Sequence, residues 1–74
     1  MISYSQESNA VYITLSGEEV KRTRVIDDDR IVDYDAEGEV VGVELLGASF
    51  GIDLTDLPER DRLESELRFL RLPA

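Results

Sequence analysis

A spaced run of carboxylates in the middle of the chain is the pattern with the most explicit chemistry. Asp33, Asp35, Glu37 and Gly38, with Glu44 six residues further on, nearly match the loop that binds calcium between two helices. The sequence on both sides of this run is rich in valine and isoleucine, which predicts strands where the calcium motif needs helices. The pattern therefore indicates a β-hairpin turn, and a calcium titration that leaves thermal stability unchanged would agree with that interpretation.

The other side chains offer little catalytic or metal-binding chemistry. The run Asp27–Asp29 could gather a hard cation weakly, but acidic runs between strands are more often solvated turns. Asp33 and Asp35 could in principle form an acid–base pair, yet no third group orients them. The chain has no histidine, no cysteine and no glycine-rich phosphate loop, and Lys21 is its one lysine. We therefore predict that the protein is not an enzyme and holds no metal or cofactor.

Net charge is the strongest compositional signal. Eight basic residues stand against seventeen acidic ones, which gives a formal net charge of −9 at neutral pH. Nucleic acids and anionic membranes repel such a surface, because binding to phosphate needs a basic face. A basic protein partner would be attracted to it. The alternative interpretation is that the acidity only keeps a small domain in solution.

The elements that position these groups follow from hydrophobic periodicity. Alternating segments rich in valine, isoleucine, tyrosine and threonine predict strands. Between the second and the third predicted strand, Ser16–Glu19 is typical of a tight hairpin turn. The predicted strands are Ile2–Tyr4, Ala10–Leu15, Val20–Ile26, Ile31–Asp35 and Glu39–Leu46. The predicted fold class is α+β, an antiparallel β-meander of about five strands followed by one C-terminal helix. Residues 1–50 would form the sheet core, and residues 51–74 the loop and helix of the same single domain.

The last hairpin has a predicted register. Asp35–Glu39 fits a type I turn followed by Gly38 in the left-handed region. The expected cross-strand pairs are Tyr34 with Val40, Val32 with Gly42, and Arg30 with Glu44. Tyr34 would then lie diagonally across Gly42, which has no side chain of its own to pack.

A helical pattern runs from about Glu59 to Leu70. Asp56 is the expected N-cap, and Pro58 is tolerated in a first turn. Glu64 and Arg68 are spaced for an exposed ion pair.

One apolar stripe of this helix is the candidate interaction site of the chain. It consists of Leu63, Leu67 and Leu70. Phe69 lies off the stripe, and it either covers a sheet edge or the Phe50–Ile52 loop, or anchors a partner chain.

Both faces of the predicted sheet carry apolar side chains, and one short helix can cover only one of them. One set is Ile31, Val41, Val43 and Leu45; the other is Val32, Tyr34, Val40 and Leu46. Small domains often need a disulfide, a metal or a partner subunit, and only the partner is available to a chain without cysteine or histidine. We therefore predict a homodimer that buries the uncovered face. The N-terminal residues show neither a basic region nor a long apolar run, which favours the cytoplasm.

Three parts of the sequence together resemble a known family. They are Tyr4, the segment Ala10–Leu15, and the segment Ile31–Ala48 with its Asp-Tyr-Asp, Gly and Val-Gly-Val-Glu pattern. They resemble the small bacterial proteins of domain-of-unknown-function family twenty-two eighty-three, although Ser5 stands where an acidic residue is more usual. The resemblance implies a compact β-meander and no established activity. Some members resemble the smaller partner of toxin–antitoxin pairs, which implies a binder of a basic nuclease.

Two hypotheses for function follow. The first is a small acidic, non-enzymatic module that binds a basic partner protein, as an inhibitor of antitoxin type would, or that self-associates. The second is a cation- or ligand-binding domain that uses the acidic turns at Asp33–Glu37 or Asp27–Asp29. A small basic protein encoded beside this gene would favour the first.

Overall fold

The alternating segments form a five-stranded sheet in the computed structural model, which describes residues 1–68. The strands are β1 (Ile2–Ser5), β2 (Ala10–Thr14), β3 (Arg22–Asp27), β4 (Arg30–Tyr34) and β5 (Val40–Leu46). A 3₁₀ turn at Ala48–Phe50 follows, and helix α1 spans Arg60–Leu67. The predicted fold class is confirmed: an antiparallel sheet is followed by one C-terminal helix.

The strand order is β1-β2-β5-β4-β3, with every neighbouring pair antiparallel. Strands β3, β4 and β5 form a meander, and the β1–β2 hairpin adds to the free side of β5. The predicted hairpin turn at Ser16–Glu19 is therefore wrong, because β2 and β3 lie on opposite sides of β5. Leu15 and Ser16 both donate their N–H groups to the Val41 carbonyl, at 2.8 and 3.1 Å, before the chain crosses to the far edge.

The β4–β5 hairpin has the predicted turn but a different register. Gly38 has φ +82°, and the Asp35 N–H donates to the Glu39 carbonyl at 2.9 Å. Tyr34 pairs with Val40 as expected. Val41 is then an extra residue, a β-bulge that shifts all later pairs by one. The observed pairs are Asp33 with Gly42, Val32 with Val43, Ile31 with Glu44, and Arg30 with Leu45. The predicted pairs Val32–Gly42 and Arg30–Glu44 are therefore wrong.

The same bulge changes which side chains share a face. A bulge interrupts the two-residue alternation, so Val40 joins Val43 on the inner face. The core contains Val11, Ile13, Val32, Val40, Val43, Leu45, Ala48, Leu57 and Leu63. The two apolar sets expected from strict alternation are therefore wrong in their membership.

The opposite face of the sheet, the outer face, is mixed rather than apolar. Cross-strand pairs place one row of side chains across all five strands: Ser3, Tyr12, Glu44, Ile31 and Val25. The next row contains Thr14, Gly42, Asp33 and Thr23. A face with this many polar groups does not by itself require a covering subunit, so the predicted homodimer loses the argument on which it was based.

Helix α1 begins at Arg60, within one residue of the predicted start, but its predicted N-cap is wrong. Asp56 was expected as its N-cap, but Asp56 lies in a turn with φ +63°, and Leu57 enters the core. Glu59 occupies the cap position with φ +57° and makes no side-chain capping bond. The side chain of Leu57 is buried in the core, so the chain turns at Asp56 and again at Glu59 before the helix starts.

Side chains of α1 attach it to the sheet. Leu63 is fully buried, and Arg62 donates to the Leu15 carbonyl at 2.8 Å. Glu64 pairs with Arg60 at 3.0 Å, one turn earlier in the helix, and not with Arg68 as predicted.

Candidate interaction site

The carboxylates of the calcium-like run have separate structural roles. Asp35 accepts the N–H groups of Glu37 and Glu39, both at 2.9 Å, and so stabilises the hairpin turn. Asp33 points to the outer face and accepts hydrogen bonds from two other strands. Within residues 1–68 no group of three or more Asp, Glu, His or Cys residues could hold a metal ion. The alternative of a cation-binding turn therefore receives no support from geometry.

A hydrogen-bonded cluster on the outer face links three strands. The Tyr12 hydroxyl donates to Asp33 Oδ2 at 2.7 Å, and the Thr23 hydroxyl donates to Asp33 Oδ1 at 2.7 Å. The Tyr12 ring reaches Asp33 by crossing the backbone of Gly42, where a Cβ would lie 2.6 Å from Tyr12 Cζ. The sequence predicted that the Tyr34 ring would pack against Gly42. The ring that packs there belongs to Tyr12 instead. This cluster stabilises the sheet, because all its polar groups are mutually satisfied.

Tyr12 has an altered titration. Burial raises the pKa of the Tyr12 hydroxyl well above its usual value, and the hydrogen bond to Asp33 and the nearby charges of Asp33 and Glu44 raise it further. The phenol therefore stays protonated and continues to donate its hydrogen bond across the neutral and mildly alkaline range.

The raised pKa predicts a pH-dependent stability. In the unfolded chain Tyr12 ionises as the pH passes about 10, whereas in the folded chain it stays neutral. The unfolded state is then favoured, so the free energy of unfolding should fall as the pH rises above about 10. Chemical denaturation between pH 8 and pH 11 should show a shallower fall for Tyr12→Phe than for the wild type. Identical slopes for the two proteins would contradict the assignment.

Arg30 organises an acidic end of the sheet. Its guanidinium contacts the Asp27 carboxylate at 2.9 Å and donates to the backbone carbonyls of Asp53 and Thr55. Only 13% of this side chain is exposed. Arg30 therefore fastens the loop before α1 to the β3–β4 turn, and the carboxylates of both segments come close together.

A cleft opens beside Arg30. Its volume is about 280 Å³, and it lies between the β3–β4 turn and the segment after β5. Its lining combines carboxylates with apolar groups: Asp27, Asp29, Asp53, Leu46, Phe50 and Ile52. Phe50 is 92% exposed, although the phenyl ring is the largest apolar group of this segment. The ring lies over Gly47, whose φ of +64° turns the chain there. We call this surface the acidic cleft.

Two carboxylates at the acidic cleft, those of Asp27 and Asp53, have a lowered pKa and are ionised at neutral pH. The side-chain hydrogen bond from Arg30 lowers the pKa of Asp27 below its usual range. The Thr55 side chain lowers the pKa of Asp53 first, with a smaller contribution from Arg30. An exposed aromatic ring beside ionised carboxylates suits a cationic side chain, which can contact the ring face and pair with a carboxylate at once.

The predicted interaction residues on the helix lie elsewhere. Leu63 is fully buried in the core and Leu67 packs against it half-buried, so both contact the sheet. They would become available to a partner only if α1 left the sheet. Phe69 and Leu70 lie outside the described residues. Sequence reasoning did not identify Phe50 as a candidate, although the glycines on either side, Gly47 and Gly51, are a signal for an exposed turn.

No helix within residues 1–68 is long and apolar enough to cross a membrane.

Fold and sequence together assign the chain to a class and a family. The class is a small α+β domain in which one helix covers one face of a five-stranded antiparallel sheet. Residues 1–49 match the model of the family described as Protein of unknown function (DUF2283), and the chain belongs to that family. The family segment ends at the 3₁₀ turn, so it contains the whole sheet but not α1.

One curated relative extends the comparison beyond the family segment. The chain is 38% identical over 58 residues to Uncharacterized protein MJ0789 of Methanocaldococcus jannaschii. The match covers 76% of this chain and 49% of the relative, so the chain spans about half the length of the curated relative it matches. No solved structure matches the chain.

Proposed function

We propose that this chain is a non-enzymatic protein-interaction module that binds a basic partner protein through the acidic cleft. The observation that carries the proposal is Phe50, an aromatic side chain that is 92% exposed at the rim of a cleft lined by carboxylates. Aromatic side chains are enriched among the residues that dominate binding energy, and leaving one in water is unfavourable.

The charge of the whole chain supports the same partner chemistry. A net charge of −9 attracts a basic protein over a distance comparable with the Debye length and speeds the encounter. At the acidic cleft the same sign of charge continues at short range, from Asp27, Asp29 and Asp53. An inhibitor of antitoxin type, which neutralises a basic nuclease, is the form of this function that we propose.

Photo-cross-linking from the cleft tests the proposal. The photoreactive residue p-benzoylphenylalanine would replace Phe50 in cells of the native host, and Glu7, exposed between β1 and β2, would be the control position. We expect position 50 to capture one protein with a basic isoelectric point and position 7 not to capture it. Capture of acidic proteins only, or the same proteins from both positions, would contradict the proposal.

Phe50→Ala should separate binding from folding. Because the ring is almost fully exposed, the free energy of unfolding should change by less than about 0.5 kcal/mol. Affinity for the captured partner should fall by about 2 kcal/mol or more, roughly thirtyfold, since an anchoring aromatic group is lost. Calorimetric titration of the partner with both proteins measures this difference. Val20→Ala, at another exposed apolar residue, is the matched control and should bind like the wild type.

A further inference from the structure

Strand β3 is an open edge of the sheet with an unusual charge pattern. It pairs with β4 on one side and has no neighbouring strand on the other within the described part of the chain. Its first four residues, Arg22–Val25, are all exposed. A groove of about 640 Å³ runs along it, lined by those residues and Tyr34. An edge of this kind presents backbone donors and acceptors that another strand can use.

Charges along β3 are segregated by sign. The segment that leads into the strand and its first half carry Lys21, Arg22 and Arg24, three of the eight basic residues of an acidic chain. Its end and the following turn carry the acidic run Asp27–Asp29. Val25 lies midway between the two halves and is 66% exposed. When two copies of such a strand lie antiparallel, the basic half of each faces the acidic half of the other.

Antiparallel pairing of two copies about Val25 uses this complementarity. Val25 then faces Val25 of the other copy, and the basic half of each strand faces the acidic end of the other. The cross-strand pairs within β3 are then Thr23 with Asp27 and Arg24 with Ile26. The same alignment brings Arg22 to Asp28 and Lys21 to Asp29, in the turn that follows β3 of the other copy. Opposite charges on facing residues stabilise a strand pair, and like charges destabilise it.

Neighbouring registers lack this complementarity. Pairing about Thr23 places Arg22 opposite Arg24, and pairing about Arg24 places that residue opposite itself. Pairing about Ile26 leaves only Val25, Ile26 and Asp27 of the two strands facing each other, because β3 ends at Asp27. The first two registers bring two guanidinium groups together and the third shortens the pairing, so the register about Val25 is selected.

The cations of β3 are available for such a contact. Within residues 1–68 neither Arg22 nor Arg24 forms an ion pair, and the Arg22 guanidinium lies 5.7 Å from the centre of the Tyr34 ring. Lys21 has only an exposed contact with Glu19, at 3.2 Å. Charged side chains on an edge strand commonly protect it from pairing, and charges of one sign would repel a second copy. Here the two signs stand on opposite halves of the segment.

We infer that β3 is a self-association surface, through which two copies of this chain form a continuous ten-stranded sheet centred on Val25. The bulge between Val25 and Asp27 bends the strand where the turn begins, so the long side chains of Lys21 and Arg22 reach the turn rather than a flat strand end. The inferred interface shares Asp27 and Asp29 with the acidic cleft, but Arg22 and Asp28 do not line the cleft, so substitutions at these two positions test self-association separately from the proposed function.

Charge reversal tests the inference. Sedimentation velocity of the full chain from about 10 µM to about 1 mM should show a reversible dimer. Arg22→Asp and Asp28→Arg each replace two attractive pairs of the symmetric dimer by repulsive ones, so each should weaken dimerisation about tenfold. The double variant should dimerise like the wild type, and an equimolar mixture of the two single variants should form a heterodimer.

Matched controls separate the interface from the effect of net charge. Arg60→Asp and Glu7→Arg make the same charge changes at exposed positions away from β3, and both should change dimerisation less than the corresponding β3 variants. Circular dichroism should show all variants folded, because the substituted side chains are exposed. A wild-type chain that stays monomeric at 1 mM, single variants that dimerise as the wild type does, or a double variant without recovery would each overturn the inference.

Discussion

Leu63→Ala is expected to lower the free energy of unfolding by about 2–5 kcal/mol. Leu63 is fully buried among side chains of the sheet, so its truncation removes apolar contacts and leaves a cavity. A domain of this size has little stability to lose, and the variant should be partly unfolded at 37 °C. Urea denaturation followed by circular dichroism measures the change. Ser65→Ala, an exposed position on the same helix, is the control and should lie within about 0.5 kcal/mol of the wild type.

The effect should be large because α1 depends on this contact. An isolated helix of eight residues is unstable in water, and the Glu59 side chain does not cap this one. Hydrogen exchange should therefore show that the amides of α1 lose protection in Leu63→Ala more than those of β5. Equal stability of the Leu63→Ala and Ser65→Ala variants would mean that the helix does not hold the core together.

Gly42→Ala is expected to destabilise the fold by about 1–3 kcal/mol, although alanine is normally tolerated in strands. A Cβ at this position would lie 2.6 Å from Tyr12 Cζ and 2.7 Å from Tyr12 Cε1. The ring would have to leave the sheet surface, and the hydrogen bond to Asp33 would break. Gly17→Ala is the matched control, since nothing lies within 4 Å of its Cβ, and it should be nearly neutral.

A double-mutant cycle identifies the cause of that loss. In the Tyr12→Ala background the clash is absent, so Gly42→Ala should cost little or become favourable. The expected coupling energy between the two positions is about 1–3 kcal/mol. An equal cost of Gly42→Ala in both backgrounds would show that backbone conformation, rather than the tyrosine ring, requires glycine there.

Local patterns predicted the elements of the fold well. Alternation located all five strands to within about two residues at each end, and the left-handed Gly38 was predicted from the hairpin turn. The register was one residue off because Val40 and Val41 are the same residue type. Nothing in the local sequence marks the second as a bulge, and the choice depends on β2, whose following residues bind the Val41 carbonyl.

Long-range contacts explain the remaining errors. The partners of Arg30 are a carboxylate three residues earlier and two backbone carbonyls more than twenty residues later. Hydrophobic periodicity predicts none of these contacts. The acidic cleft exists only because these segments meet, so composition predicted a basic partner without locating its site. The leucines of the helix were predicted to form a docking surface. The sequence pattern of an apolar stripe is the same whether the stripe packs on a partner or on the sheet of its own chain.

The strand order also has a consequence for how the chain folds. Each pairing in β3-β4-β5 closes a loop of a few residues, whereas β2 can pair with β5 only after the whole intervening segment is placed. Loop-closure entropy favours the short connections, so we expect the meander to form first and the β1–β2 hairpin to dock on it later. Ile13→Val should then mainly speed unfolding, and Val32→Ala should mainly slow refolding. Stopped-flow kinetics would contradict this order if Ile13→Val slowed refolding to the greater extent. During synthesis the β1–β2 hairpin is made first, so the edge of β2 that pairs with β5 would stay unpaired until β5 has been synthesised.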